Sequence, residues 1–501
     1  MGADLLRASF SGKRLLLLPL ILFLTLNLIL RLVFSPSLHG DGADILLFNQ
    51  GLAWGYSEQP PLFSWLFWLW SSLFGSTVFS LALFRAVLFG STIWVLYLFA
   101  FRILKNNTPA VLSAFSLLLF PHFVIKANFM THTLLMVLIS TASLYCMLTL
   151  IERGYWRDYL LLGALTGLGI LAKHTHALFI GSLVLAGLTL SESRRRILSP
   201  RTLVALLITS LLLLPHAWWL LQNMDAIARV YRHKITLPVP HESRLIPAGA
   251  IQFLKALLLV AVPLGLALWV TFRTEPPRSE ARSVRHDFQT LLERYLMILC
   301  GGLILAVFVT RSRRFPDRWL TPFVLMLPLL LFGRLQARQL SRERLQRYAA
   351  LLIVIAVVLT GARVYKYWHD YRHQGSDPIH FSFKEPAEQL RKSLSGHAVL
   401  IGQRPPIMGN LRANLPEISC LATPHVCFQP DEVRKSKQFI VLWCREFGKD
   451  LSAQIVKQAE KLLGVSIRAE KKIYTIKVPP LAQGGRAKPI PLCYVLARLV
   501  D

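Results

Sequence analysis

The residues best placed to do chemistry in this chain are three carboxylates, Asp41, Asp44 and Glu58, which share residues 35–77 with no Lys or Arg at all. Asp41 opens a short amphipathic pattern, and Glu58 follows it, braced by Pro60 and Pro61. Two acids set apart in this way suit proton transfer, because an ionised carboxylate takes a proton from a hydroxyl within hydrogen-bond reach. A plainer use of Asp41, as the cap of the helix that follows it, fits the same residues. Bases gather in other segments: Lys173, the run Arg232-His233-Lys234, and Arg311, Arg313, Arg314 and Arg318. A guanidinium fork grips a phosphate with two parallel hydrogen bonds, so an anionic ligand is the natural complement to these. His132, His174 and His176, with Glu58, could hold a divalent ion, but local hydrogen bonding is the reading preferred here and no metal or cofactor is assigned.

The elements that must carry these groups are membrane helices. Of 501 residues 54% are hydrophobic, and apolar runs repeatedly approach the ~20 residues that a bilayer crossing requires. Eleven spans are predicted, near 15–34, 78–101, 109–120, 133–151, 159–172, 177–190, 203–221, 246–270, 295–309, 319–332 and 349–361. The first is too long for a cleaved leader and lacks a small-residue cleavage pattern, so it is read as an anchor. With the N-terminus inside, the inner segments hold 21 Lys and Arg and the outer loops 10, which fixes that orientation, since positive loops stay on the cytoplasmic side. Eight of the outer ten fall in two loops and run against the bias, so they call for a local purpose. The formal charge of +29 is explained by topology and anionic headgroups rather than by nucleic acid.

Residues 35–77 thus form the first outer loop. Helical spacing over 45–54 and the aromatic run 62–70 predict two helices lying in the membrane interface, where Trp is favoured. After residue 363 the spans stop, and short β-rich runs (398–401, 439–443, 473–478, 493–497) alternate with helical stretches near 386–394 and 453–463. The predicted organisation is a transmembrane domain, 1–363, and a soluble periplasmic α/β domain, 364–501. No internal repeat is evident. Cys420, Cys427, Cys444 and Cys493 lie in the tail, where an oxidising compartment permits disulfides; spacing leaves pairing and buried free thiols both open.

In order along the chain, Asp41, the phrase Leu52-Ala53-Trp54-Gly55-Tyr56 and Glu58-Gln59-Pro60-Pro61 resemble the integral-membrane glycosyltransferases of the C-type (GT-C) fold, specifically bacterial relatives of protein O-mannosyltransferases and lipid A aminoarabinose transferases. The Glu that often follows the first Asp in that family is Gly42 here. Further resemblances are Thr131-His132-Thr133, Gly169 to Lys173, Pro215 to Asn223, Phe315 to Pro322 and, in the tail, Gly409-Asn410-Leu411-Arg412.

The resemblance implies transfer of a sugar from a polyprenyl phosphate to a lipid, lipopolysaccharide or other envelope glycan at the periplasmic face of the bacterial inner membrane, with inversion at the anomeric carbon. It implies Asp41 as the base and Glu58 as a second acid that orients acceptor, sugar or metal. Lys173 and Arg318, with Arg314 and Arg232, are the expected grip on the donor phosphate. Asp44, Tyr56 and His132 are expected around the sugar or acceptor. A lipid or solute transporter is the competing reading, but it predicts ionisable groups and broken helices near mid-bilayer, whereas the acids here cluster in an outer loop.

Overall fold

The computed structural model describes residues 2–56, 59–125, 129–224, 227–228, 248–275, 286–312, 315–335, 340–373, 377–393, 398–423, 436, 438–445, 451–481 and 488–499. Glu58, Arg232, Arg314 and Cys427 lie outside them. The helices run α1 (Gly2–Phe34), α2 (Gly40–Phe48), α3 (Leu62–Phe74), α4 (Val78–Leu104), α5 (Asn107–Phe115), α6 (Pro121–Ile125), α7 (His132–Glu152), α8 (Trp156–Ala172), α9 (His176–Leu188), α10 (Ser191–Ile197) and α11 (Thr202–Gln222). There follow α12 (Ala248–Phe272), α13 (His286–Val309), α14 (Asp317–Leu320), α15 (Leu327–Leu335), α16 (Arg342–His373) and α17 (Lys384–Ser393). The tail adds β1 (Ala398–Gly402), α18 (Pro405–Asn414), β2 (Ser419–Ala422), β3 (Gln438–Cys444), α19 (Ser452–Leu463), β4 (Ile467–Ala469), β5 (Tyr474–Val478) and β6 (Ile490–Leu499).

Among the described residues seven helices are long and apolar enough to cross a membrane: Leu15–Phe34, Val78–Leu104, His132–Glu152, Thr202–Gln222, Ala248–Phe272, Phe288–Val309 and Arg342–Asp370. Others of the expected spans are shorter helices, such as α8 and α9. The one expected over 319–332 is broken into α14, a 3₁₀ turn at Thr321–Phe323 and α15. Pro322 and Pro328 explain the break, since each lacks the N–H that a continuous helix would need.

The chain divides into two compact units. One comprises residues 1–25, 86–127 and 132–362; the other comprises 26–85, 128–131 and 363–501. The first unit is helical, and its packing follows membrane rules, with small residues where helices meet. Gly163 and Gly167 of α8 stand one turn apart and face α11, where a Cβ on Gly163 would sit 2.4 Å from the Ala205 carbonyl oxygen. The Thr209 hydroxyl crosses the same seam to donate to the Gly163 carbonyl at 2.9 Å. On its other side α11 leaves Leu207, Leu211 and Leu214 more than half exposed, a stripe suited to lipid.

In the second unit the tail folds as a mixed sheet of order β2-β1-β3-β6-β4, with β5 also paired to β6. β1 pairs parallel with β2 and β3; β6 runs antiparallel to β3, β4 and β5. Alternate side chains feed two cores. Leu400, Ile440 and Leu492 pack with Leu390 and Leu411, and Val399, Val441 and Val495 pack with Ile455 and Ala459. Helices therefore cover both faces, as a buried parallel segment requires. Among the described residues Cys420 and Cys493 are free, buried thiols, and Cys444 is buried beside them in the sheet.

Candidate functional site

The acid-bearing loop begins with a buried arginine. Arg31, 3% exposed, donates to the Ser35 and Ser37 carbonyls, each at 2.6 Å, and so bends the chain from α1 toward α2. Ser35 and Ser37 then donate their hydroxyl protons to the carbonyls of Ile379 and Phe381. At the start of α2 the cap is His39, which makes no side-chain cap bond. Asp41 is therefore not the cap. It stands in the first turn, where a negative charge complements the helix dipole, and it is exposed. His39 Nδ1 instead meets Asp377 Oδ2 at 2.5 Å. Burial alone would raise Asp377, but the hydrogen bond and charge of His39 outweigh it and leave that carboxyl lowered.

The phrase Gly409-Asn410 in the tail acts as the clamp for this loop. Asn410, 1% exposed, accepts from the Leu38 N–H at 2.7 Å and donates to the Leu38 carbonyl at 2.9 Å. Both backbone groups of that residue are thus satisfied by one amide, as burial demands. A Cβ on Gly409 would lie 2.0 Å from the Ala43 carbonyl oxygen, so only glycine lets α18 approach α2 this closely. Leu47 of α2 belongs to the tail's core. At the end of α2, Gln50 exchanges two hydrogen bonds with the Cys420 backbone, at 2.7 and 2.8 Å. The helix accordingly starts and stops earlier than the spacing over 45–54 predicts: Asn49 turns to the Ser71 and Ser76 hydroxyls and Gln50 to the sheet.

A second buried arginine, Arg85 of α4, 4% exposed, has Asp41 and Arg31 as charged neighbours. Its Nη2 is 3.0 Å from where a Cβ on Gly42 would sit. The residue after Asp41 is therefore small because a guanidinium packs against it. Asp44, also on α2, is half-buried. Tyr56 is fully buried. Its hydroxyl donates to the Gly51 carbonyl at 2.7 Å and accepts from Ala53 N–H at 2.9 Å, and burial, only partly offset by that Ala53 bond, pushes it up to about 12. It fixes the turn that leads from α2 toward residue 58.

In the helical unit, Lys173 ends α8, and its N–H closes onto the Gly169 carbonyl at 3.0 Å. A cation at a helix C-terminus complements the dipole. The ammonium donates to Thr133 Oγ1 at 2.7 Å, beside the buried His132. Gly169 has its own reason: a Cβ there would be 2.1 Å from the ring of His176, whose Nδ1 lies 3.1 Å from Ser140 Oγ. The neighbouring imidazole of His174 pairs Nε2 to Nε2 with His216 at 2.9 Å, and burial followed by His216 lowers it to about 4. The histidines are thus engaged within the protein, and among the described residues no group of three or more His, Cys, Asp or Glu is arranged to hold a metal ion. Arg318 lies exposed on α14, in a segment anchored by Phe315, whose N–H donates to Gln252 at 2.9 Å and whose ring meets Trp319 edge-on.

Asp41, Asp44 and Tyr56 thus belong to one unit, and His132, Lys173 and Arg318 to the other. The sequence reading passed over Arg31 and Arg85; the signal that marks them is an arginine inside an otherwise apolar helix, a costly placement that points to function or a buried partner.

Comparison with known proteins places this geometry. The family model for dolichyl-phosphate-mannose-protein mannosyltransferase matches residues 58–219. The lipopolysaccharide core galacturonosyltransferase RgtA of Rhizobium johnstonii is 32% identical over 347 residues, covering 67% of this chain and 68% of that protein. RgtB of the same organism, also a lipopolysaccharide core galacturonosyltransferase, is 24% identical over 425 residues, 84% of this chain and 85% of its own. Among solved structures, ArnT from Cupriavidus metallidurans bound to undecaprenyl phosphate has a TM-score of 0.59, covering 95% of this chain and 97% of that one at 14% identity. Its apo form gives 0.58. At that identity the likeness is one of fold.

Proposed function

This chain belongs to the integral-membrane glycosyltransferases of the GT-C fold, and from that premise we propose that it moves a sugar from a polyprenyl phosphate to lipopolysaccharide core at the periplasmic face of the bacterial inner membrane. The galacturonosyl relatives make galacturonic acid the first candidate for the sugar. The undecaprenyl phosphate bound to the ArnT structure supports a lipid-phosphate donor. The observation that carries the reading is the acid-only loop, with Asp41 exposed at the head of a helix that the tail clamps through Gly409 and Asn410.

In this proposal the Asp41 carboxylate takes the proton from an acceptor hydroxyl as its oxygen attacks the anomeric carbon. The bond from that carbon to the lipid phosphate breaks on the opposite side, so the configuration inverts. Lys173 and Arg318, with Arg314 and Arg232, stabilise the charge that builds on the departing phosphate. Glu58 is assigned the orienting of acceptor or sugar, and Asp44 and His132 are the further residues assigned to their recognition. Tyr56 shapes the loop from within. Arg85 packs against Gly42, next to Asp41. No metal enters the scheme, so a chelator is expected to leave the rate unchanged; loss restored by one divalent ion would overturn that part.

The test is mass spectrometry of lipopolysaccharide from cells with and without the protein. The deletion is expected to lack one core sugar. Unmodified core with an accumulated lipid-linked intermediate on the cytoplasmic side, unaffected by Asp41→Asn, would make transport the better account.

A further inference from the structure

The tail contains a crevice that the transfer scheme does not use. It is a cavity of about 420 Å³, within the size range of small-ligand sites. It opens at the carboxyl ends of β1 and β3, lined by Gln403 and Arg404 just beyond β1, by Leu442 and Trp443 of β3, and by Ile407 and Gln454 of the flanking helices. This place in the sheet has a topological meaning. From β1 the chain passes through α18 to β2 on one side; from β3 it passes through α19 to β4, which lies on the other. Where connections from adjacent parallel strands diverge, a cleft opens between the helices that cover opposite faces, and ligands of open α/β sheets bind there.

The chemistry of the lining narrows the ligand. Trp443 is 2% exposed, and among the described residues its indole N–H has no hydrogen-bond partner. A buried donor left in that state is costly, and an acceptor oxygen entering the cleft would relieve it. The Arg404 guanidinium supplies charge-assisted donors, the Gln403 and Gln454 amides can donate or accept, and no Asp or Glu is among the described lining residues. Ile407 and Leu442 provide an apolar floor for the C–H face of a ring. At the end of β1, a Cβ on Gly402 would meet Met408 Sδ at 2.6 Å and the Leu442 carbonyl oxygen at 3.1 Å.

We propose that this crevice binds an acidic saccharide unit, its carboxylate held by Arg404 and a ring or hydroxyl oxygen by the Trp443 N–H. The inference rests on the transferase reading only in taking that unit to be part of the acceptor glycan; binding itself does not depend on catalysis.

The experiment is saturation-transfer NMR on the full-length protein in lipid nanodiscs, with galacturonic acid, galactose and inorganic phosphate as separate probes. Galacturonic acid is expected to receive saturation from the wild type and equally from Asp41→Asn, with galactose bound about tenfold more weakly or not at all. Arg404→Gln should abolish the galacturonate signal. Gln454→Ala, on an exposed helix face, should weaken it without disturbing the fold, which guards against a Trp443→Phe variant that fails to assemble. Signal that survives Arg404→Gln, equal binding of galactose, or displacement by phosphate at the same concentration would each overturn the proposal. In a transfer assay Arg404→Gln should raise the acceptor KM and spare kcat. If galacturonate binds but no strain transfers sugar, the crevice stands and the transferase reading fails.

Discussion

The two units solve the same problem, holding a charged side chain at a defined place, by different physics. Around Asp41 the work is done by directional polar contacts over long chain separations: Asn410 on the Leu38 backbone, Gln50 on Cys420, and the Ser35 and Ser37 hydroxyls on the segment after α16. Around Lys173 it is done by close backbone approach, with Gly163 against Ala205 and Gly169 under His176. Lipid offers helices no hydrophobic gain on association, so small residues and contact distance decide there. In an aqueous domain a satisfied buried amide can specify one register. The lesson is that the loop with the candidate base is a part of the tail's fold, while the candidate phosphate lysine is a part of the helix bundle's.

That contrast is broken most severely at Gly409. Gly409→Val would drive a side chain into the Ala43 carbonyl, and we expect a loss of about 3 kcal/mol or more, the upper range for overpacking, read as a lower unfolding midpoint together with lost transfer. A variant that keeps both would detach the tail from the function of the loop. Asn410→Ala comes next. It strands the buried N–H and C=O of Leu38 at about 1–3 kcal/mol and should lower kcat more than it raises the donor KM, because it displaces the base.

Lys173→Ala and Arg318→Ala should do the converse. Donor KM rises about tenfold, about 1.4 kcal/mol, with the unfolding midpoint little changed; an effect on acceptor KM instead would remove these residues from the phosphate. The smallest effect is a pH dependence. Folding lowers His174 from 6.5 to about 4, so between those values the unfolded chain binds a proton that the folded one does not. Stability should therefore fall on acidification from about 6.5 to about 4. His174→Gln should flatten that slope, and an unchanged slope would mean that other groups set it.

Much of this was legible in the chain. Apolar runs located the long helices, and short β-rich runs between helical stretches located β1, β3, β5 and β6, because a short apolar run bounded by turn signals marks a buried strand. β2, four residues long, was not legible: it is a strand only because β1 offers it a parallel partner. The site divides in the same way. The acids of the loop and Lys173 stood out by charge against their surroundings. The clamp did not, since Asn410 and Leu38 are 372 positions apart, and no local pattern encodes that meeting. Gly42 read as a departure from the family phrase until Arg85 was seen against it.

The central claim, that Asp41 is the base of a sugar transfer, is tested most directly by the initial rate of the reconstituted protein with undecaprenyl-phosphate-linked galacturonic acid and lipopolysaccharide core, wild type beside Asp41→Asn at matched unfolding midpoints. A fall of about 10²–10⁴-fold, the usual worth of a general base, with donor KM unchanged is the predicted result. Transfer at the wild-type rate by Asp41→Asn would contradict it.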